Sequence, residues 1–414
     1  MRFFATCAKG TEGALRRELA ALRLPAVRGE RGGVSFEGRL EAGMRACLHA
    51  RTAMRVLLEL ARFPADSADA LYEGARAVAW EEWLTVKTTL AVEATVSSSA
   101  ITHSGYAALK VKDAAVDALR TKLGARPDVD AKDPDVRIVL HLARGEATLS
   151  LDLAGEPLHR RGYRAVTGAA PLKETLAAAV LLLGGVAPEL PLVDPMAGSG
   201  TLAIEHALRA RRIAPGLGRA FGFQRWPMYR GGPQSAWDRM KAEARAEALP
   251  RAPAPIVARD LHPKAILAAR RNVATAGVAE DVLVEEGDAR ALEPRWPEGT
   301  LVSNPPYGER LLSGEAETAR RGRRGDLPGA PRAAGRRARE AAPVEDDGAA
   351  RVQHKKLAGF YRGLSEAILK HHGWSVVLLS GNPLLERAIP LRPEVDHRLW
   401  NGPIEAHLLK YRIP

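Results

Sequence analysis

Pro191-Leu192-Val193-Asp194-Pro195-Met196-Ala197-Gly198-Ser199-Gly200-Thr201-Leu202-Ala203-Ile204-Glu205 decides how this chain folds. Leu192 and Val193 close a short apolar run that reads as a buried strand, and Asp194-Pro195 ends it. Gly198, Ser199 and Gly200 make a turn, and Thr201 opens a helical pattern carrying Leu202, Ile204 and Leu208. Strand, glycine turn and helix form the first unit of a nucleotide-binding α/β sheet. The glycines let a ligand approach the backbone, and the helix N-terminus offers N–H groups to a carboxylate or phosphate. The order D-P-x-x-G-S-G-T departs from both the G-x-G-x-x-G fingerprint and the P-loop. No Lys follows the last Gly, which disfavours phosphate cradling. An acid at the strand end instead suits a ligand with a cationic end, such as the amino group of S-adenosylmethionine.

A second strand-like run stops at a rigid corner: Leu301-Val302-Ser303-Asn304-Pro305-Pro306-Tyr307-Gly308. Two prolines fix φ and remove donors, and Asn304 before them is held extended. The corner presents an amide, backbone carbonyls and one aromatic ring. A planar base with an exocyclic amine needs that set: acceptors for its N–H hydrogens and a face to stack on.

Together the two stretches resemble motifs I and IV of class I S-adenosylmethionine-dependent amino-methyltransferases that act on bases. The longer form NPPYGERL resembles the THUMP-containing bacterial 23S rRNA guanine-N2 methyltransferase family of the RlmL type. That resemblance covers nearly the whole chain. It implies an α/β fold: a doubly wound, mainly parallel seven-stranded Rossmann-like sheet preceded by an α+β ferredoxin-like and THUMP region that binds RNA. It makes Asn304, Pro305, Pro306 and Tyr307 the catalytic ledge and S-adenosyl-L-methionine the cofactor. Around that cofactor it places Asp194, Pro195, Gly198, Gly200 and Thr201, with Asn304 alongside.

Composition agrees with a polyanionic partner. The 414 residues carry 61 Lys and Arg against 49 Asp and Glu, a net charge of +12, which favours nucleic acid. At 46% hydrophobic and 27% charged, the chain reads as an ordinary soluble protein of two or three domains. Cys7 and Cys47 sit in no C-x-x-C, so neither a disulfide framework nor a metal motif is expected. The N-terminus MRFFATCAKG has no signal-length apolar run and nothing approaches a membrane span, so cytoplasm is the expected location.

In chain order, residues 1–50 alternate strand and helix patterns: strands at 2–6 and 34–36, helices at 13–22 and 40–51. They read as a ferredoxin-like module. Residues 51–165 form the next unit, with strands at 88–96, 136–143 and 147–153 and a helix at 107–123. Its stretch HSGYAALKVKDAAVDALRTKLGARPDVD resembles a THUMP domain, with Lys110, Lys112 and Arg126 as RNA contacts. Arg160, Arg161, Tyr163 and Arg164 set three guanidiniums beside a ring, a set suited to phosphate contact and base stacking.

The methyltransferase domain is expected over 166–414. Pro171 opens a helix with Lys173, Glu174 and Thr175 in its first turn. In the family this segment packs near the methionine end of the cofactor, so Lys173 and Thr175 join the cofactor set. Residues 211–255 read as an insertion whose aromatics Phe221, Phe223, Trp226 and Tyr229 are mostly core. Strands follow at 256–260 and 282–285, each leading to an acid. Asp260 is placed to accept ribose hydroxyls, and by resemblance Asp288 binds the adenine amine. Residues 313–350 are rich in Arg, Ala, Gly and Glu, cannot build a core, and are expected to be a disordered insert. A helix resumes at 357–371, a strand at 375–379, and 401–409 closes the sheet. Some relatives continue into a second methyltransferase domain, which this chain is read as lacking.

The expected reaction is methylation of a guanine N2 in 23S rRNA, free or in a pre-ribosomal particle. Three rivals share parts of the pattern: a tRNA guanine-N2 methyltransferase, a DNA adenine-N6 methyltransferase, and a non-catalytic rRNA-binding assembly factor. The THUMP-like region argues against the second rival, and the intact glycines and Asn-Pro-Pro-Tyr against the third.

Overall fold

A computed structural model of the chain describes residues 1–164, 172–307 and 347–414. The expected insert up to residue 346, Pro171 and the GERL of NPPYGERL lie outside the described residues.

The N-terminal elements are β1 (Arg2–Thr6), α1 (Glu12–Ala21), β2 (Arg28–Glu30), β3 (Gly33–Glu37), α2 (Leu40–His49), β4 (Arg55–Pro64), α3 (Ala68–Arg76), β5 (Leu90–Ser97), α4 (Ser104–Leu123), β6 (Val136–Ala143) and β7 (Glu146–Asp152). They form one seven-stranded sheet in the order β2-β3-β1-β4-β7-β6-β5. Strand β4, RVLLELARFP, was not among the sequence expectations, and it joins the two modules. It pairs antiparallel with β1 on one side and with β7 on the other. A boundary drawn at residue 50 therefore separates motifs, not sheets. Helix α4 buries Ala107, Val111, Ala114, Ala115 and Leu119, and ends where Gly124 turns left-handed at φ +74.

The remaining elements are α5 (Glu174–Leu183), β8 (Leu192–Asp194), α6 (Thr201–Ala210), α7 (Gly232–Ala246), β9 (Ile256–Asp260), α8 (Pro263–Thr275), β10 (Val282–Glu286), β11 (Thr300–Ser303), α9 (Asp347–Leu369), β12 (Ser375–Ser380), α10 (Pro383–Ala388), β13 (Val395–Asn401) and β14 (Ile404–Arg412). Their sheet runs β10-β9-β8-β11-β12-β14-β13. The first five strands pair in parallel, and the β13–β14 hairpin closes the edge antiparallel. This is the doubly wound α/β architecture expected from the sequence. Strand order reverses between β8 and β11, so the crevice at their carboxyl ends is the natural ligand site. Helix α9 starts at Asp347, ahead of the expected 357.

The segment read as an insertion, 211–255, has a structural task. Phe221, Phe223, Trp226, Tyr229 and Trp237 are buried, and they pack into the core of the N-terminal sheet instead of the methyltransferase sheet. Trp226 meets Trp83 edge-on at 6.0 Å, and Trp237 stands edge-on to Phe221 at 5.3 Å and Phe223 at 5.1 Å. This segment thus completes the core of the N-terminal sheet, and these aromatics are packing, not RNA contacts. Trp237→Ala should destabilise the protein by about 3–5 kcal/mol. Chemical denaturation of the full chain checks it; an unchanged midpoint would contradict that packing.

Candidate active site

The turn after β8 is built on two glycines that must be glycine. Gly198 has φ +54 and Gly200 has φ +83, conformations that strain any side chain. A Cβ at Gly198 would meet nothing within 4 Å, so this side of the turn faces open space where a ligand can lie against backbone. Asp260, at the end of β9, braces the turn: its Oδ2 accepts from Gly198 N at 2.8 Å and its Oδ1 from His262 N at 2.9 Å. A carboxylate has about four acceptor sites, so capacity for a hydroxyl remains.

Asp194 is buried at the end of β8. Its Oδ1 accepts from Ser303 Oγ at 2.8 Å and from Met196 N at 3.2 Å. Burial pushes its carboxyl up to about 7; the Ser303 and Met196 hydrogen bonds oppose that, and the charge of Asp260 adds to it. Asp288 is different. The Arg290 side chain forks its carboxylate, with Nη2 at 2.6 Å and Nε at 3.0 Å, and holds it below the usual range. It also accepts from Arg290 N, capping the short turn at Ala289–Ala291. These acids and the open side of the turn fit a ligand with a cationic end and hydroxyls.

Ser303 carries the chain into the ledge. Asn304 Oδ1 accepts from the Tyr307 hydroxyl at 2.6 Å. The Pro306 carbonyl accepts from Tyr361 Oη on α9 at 2.6 Å, and the Tyr307 carbonyl from Asn382 Nδ2 at 3.1 Å. Pro305 is buried, and Asn304, Pro306 and Tyr307 are partly exposed. Ser303, Tyr361 and Asn382 were not among the expected site residues. Only Ser303 had a local signal, as the residue that joins the strand to Asn304.

The bridge 160–164 departs from the expected RNA face. Arg161 is buried; its Nη1 donates to the Leu158 carbonyl at 2.8 Å, its Nη2 to the Arg51 carbonyl, and it lies 3.6 Å from Glu205. Tyr163 is buried and donates to Glu205 at 3.1 Å. Neither can stack on or contact RNA in this arrangement, because the chain passes between the two halves here and its polar groups pair inside. Arg164 sits under the glycine turn. It donates to Glu174 at 2.8 Å, Ser199 Oγ at 3.2 Å, Thr201 Oγ1 at 3.2 Å and the Leu172 carbonyl at 3.0 Å. It therefore ties the start of α5 to the turn. Of the four, Arg160 is solvent-exposed, paired with Glu156. Thr175 is buried in the first turn of α5, and Lys173 is exposed at its N-cap. On α4, Lys110 lies 5.8 Å over the Tyr106 ring and Lys112 pairs with Asp113 at 2.8 Å; Arg126 is exposed beyond the helix.

This arrangement makes Arg164 a support of the glycine turn. Arg164→Ala leaves Glu174 without its partner and loosens Ser199 and Thr201. S-adenosylmethionine affinity should fall about tenfold or more, from one lost charged hydrogen-bond set. Calorimetry reads it, with RNA affinity unchanged; the reverse pattern would restore the RNA-contact reading.

Three family matches follow one another along the chain: the RlmL ferredoxin-like domain over residues 2–57, a THUMP domain over 65–152, and an RMKL-like methyltransferase domain over 161–319. The ribosomal RNA large subunit methyltransferase K/L of Syntrophotalea carbinolica is 41% identical over 100% of this chain and 54% of its own. Its counterpart in Pseudomonas paraeruginosa is 40% identical over 99% of this chain and 52% of its own. The chain spans about half the length of the curated relatives it matches. Among solved structures, SMU.472, complexed with SAH, superposes with a TM-score of 0.83 at 26% identity, covering 100% of this chain and 98% of that one. A Listeria monocytogenes protein described as a predicted N6-adenine-specific DNA methylase gives 0.80 at 27%, covering 100% and 96%. On this fold and in this order, the chain carries an RlmL ferredoxin-like domain, a THUMP domain and an RMKL-like methyltransferase domain.

Proposed function

We propose that the chain transfers a methyl group from S-adenosylmethionine to the exocyclic N2 amine of a guanine in 23S rRNA. The carrying observation is the buried Ser303–Asp194 hydrogen bond, which puts the end of the cofactor strand beside an amine-reading ledge. The names of the large-subunit rRNA methyltransferase relatives support an rRNA substrate. The match to a THUMP domain favours RNA over DNA. Guanine rests on NPPYGERL together with that domain, since Asn-Pro-Pro-Tyr itself tolerates either guanine or adenine amines.

S-adenosylmethionine, when bound, supplies an already activated methyl on its sulfonium. Asp194, Gly198, Gly200, Thr201, Asp260 and Asp288 would hold it, with Lys173 and Thr175 at the start of α5. What remains for this chain is positioning and exclusion of water. An exocyclic amine is a poor nucleophile because its lone pair is delocalised into the ring. Asn304 Oδ1 and the Pro305 carbonyl accept from the amine and favour tetrahedral nitrogen as positive charge develops there. In the free protein the Tyr307 hydroxyl occupies Asn304 Oδ1, so the incoming amine must share or replace it. The base leaves its stack to reach the Tyr307 ring. The nitrogen gives up one proton to solvent as it gains the methyl.

Asn304→Ala should lower kcat by roughly 10²–10³, with KM changed less, because the contact strengthens in the transition state. Tyr307→Ala should weaken base stacking by about 1–3 kcal/mol. Methylation of rRNA in vitro, digestion and nucleoside separation should yield N2-methylguanosine. A product that is N6-methyladenosine alone would overturn the base assignment and favour the adenine-N6 rival.

A further inference from the structure

Gly381 follows β12 and precedes α10, and its backbone does not call for glycine: it is absent from the positive-φ glycines. Space calls for it. A Cβ built there would lie 2.7 Å from Tyr307 Cδ2, 2.8 Å from Cγ and 2.9 Å from Cε2. Real side chains do not approach that closely, so the Tyr307 ring rests directly on the Gly381 backbone. Next to it, Asn382 reaches in two directions. Its Nδ2 donates to the Tyr307 carbonyl at 3.1 Å, and its Oδ1 accepts from Leu384 N at 3.0 Å, capping α10. Ser380 Oγ donates to the Asn382 carbonyl at 3.0 Å and holds the corner closed. Strand β12 pairs in parallel with β11, which carries the ledge, so both ends of this contact sit on one rigid sheet.

We infer that the Gly381–Asn382 corner is a positioning element for the target base: it sets the plane and height of the Tyr307 ring. This deepens the proposed function and rests on it, in that Tyr307 stacks on the base whose amine Asn304 reads. Gly381 provides a flat backbone seat and Asn382 fixes the carbonyl end of Tyr307. An added methyl at 381 must push the ring off its seat. A displacement on the order of 1 Å at a reacting partner can cost on the order of 10²-fold in rate. The glycine turn and its acids lie on β8 and β9, so cofactor binding should not register the change.

The test is a double-mutant cycle on the full chain, with Gly381→Ala made in wild type and in Tyr307→Ala, and methyl transfer followed at saturating S-adenosylmethionine. The expected result is a loss of kcat on the order of 10²-fold in wild type, none beyond that of Tyr307→Ala in the second background, and unchanged S-adenosylmethionine affinity. Asn382→Asp keeps the acceptor that caps α10 and removes the donor to Tyr307, so it should lower kcat in the same direction without depending on how Gly381→Ala folds. Wild-type kcat in both variants, or an equal further loss on Tyr307→Ala, would overturn the inference. Nucleoside analysis of the same reactions separates this from the base assignment: if the product is not N2-methylguanosine, the guanine reading fails while the cycle is still scored on whichever base is methylated.

Discussion

The hydrogen bond from Ser303 Oγ to Asp194 Oδ1 is the contact on which the rest of the site depends. Both residues are buried and both end their strands. Strand β8 delivers the acid and the glycine turn, and β11 delivers the ledge. Leu192 and Val193 pair in register with Thr300 and Leu301. The two strand ends therefore stop side by side at the point where strand order reverses. Continuing that register puts Asp194 level with Val302, and Ser303 reaches it from the next position, where β11 ends. Buried polar groups without partners cost roughly 1–3 kcal/mol each, so each of the two depends on the other.

A second constraint fixes the two halves to each other. Arg51 reaches from the loop before β4 to the Ile213 carbonyl at 2.7 Å, beyond the C-terminal end of α6. The Arg51 N–H in turn donates to Glu18 on α1 at 3.0 Å. Arg161 and Tyr163 meet Glu205 on α6. Desolvation pulls the Arg51 guanidinium down to about 10, against the charges of Glu205 and Glu18. Removing one member of such a group leaves a buried charge unpaired, which is strongly destabilising. Near β13, Lys9 sits 3.5 Å over the Trp400 ring and a Cβ at Gly10 would collide with the Arg398 carbonyl. With the aromatics of 211–255 packed into the N-terminal core, these contacts make the N-terminal half a fixed platform, not a tethered module.

Legibility from sequence followed the range of the forces involved. The β8 turn and the ledge could be read because glycine and proline act on their own backbone. Strands at 2–6 and 136–143 were read to the residue because their alternation is local. Strand β4 was passed over because its apolar residues do not alternate cleanly and nothing local says that it joins two modules. The bridge misled for a related reason: three arginines near a tyrosine look the same on a surface as in a junction, and only the fold supplies Glu205, Glu174 and the Arg51 carbonyl as partners. Tyr361 and Asn382 come from elements after the described gap, so their approach to the ledge has no sequence signal. Gly381 was invisible too, since its need for space exists only once Tyr307 lies over it.

In the proposed function, Asp194 both ties the ledge to β8 and receives the cation of the cofactor. Its carboxyl, pushed up to about 7 in the free protein, must be ionised to meet an ammonium. The sign follows directly: a cationic ligand lowers that pKa, so binding releases a proton below about pH 7, and affinity rises with pH until the free carboxyl is ionised. The cofactor's own α-amino group, with an ordinary pKa of about 7.7–8.0, stays protonated through this window. Calorimetry of S-adenosylmethionine binding between about pH 6 and pH 7, in two buffers of different ionisation enthalpy, measures the proton directly. Release of a substantial fraction of one proton, tightening by up to about tenfold per pH unit and abolished in Asp194→Asn, is the predicted result. Binding with no proton exchange and no pH dependence would contradict it.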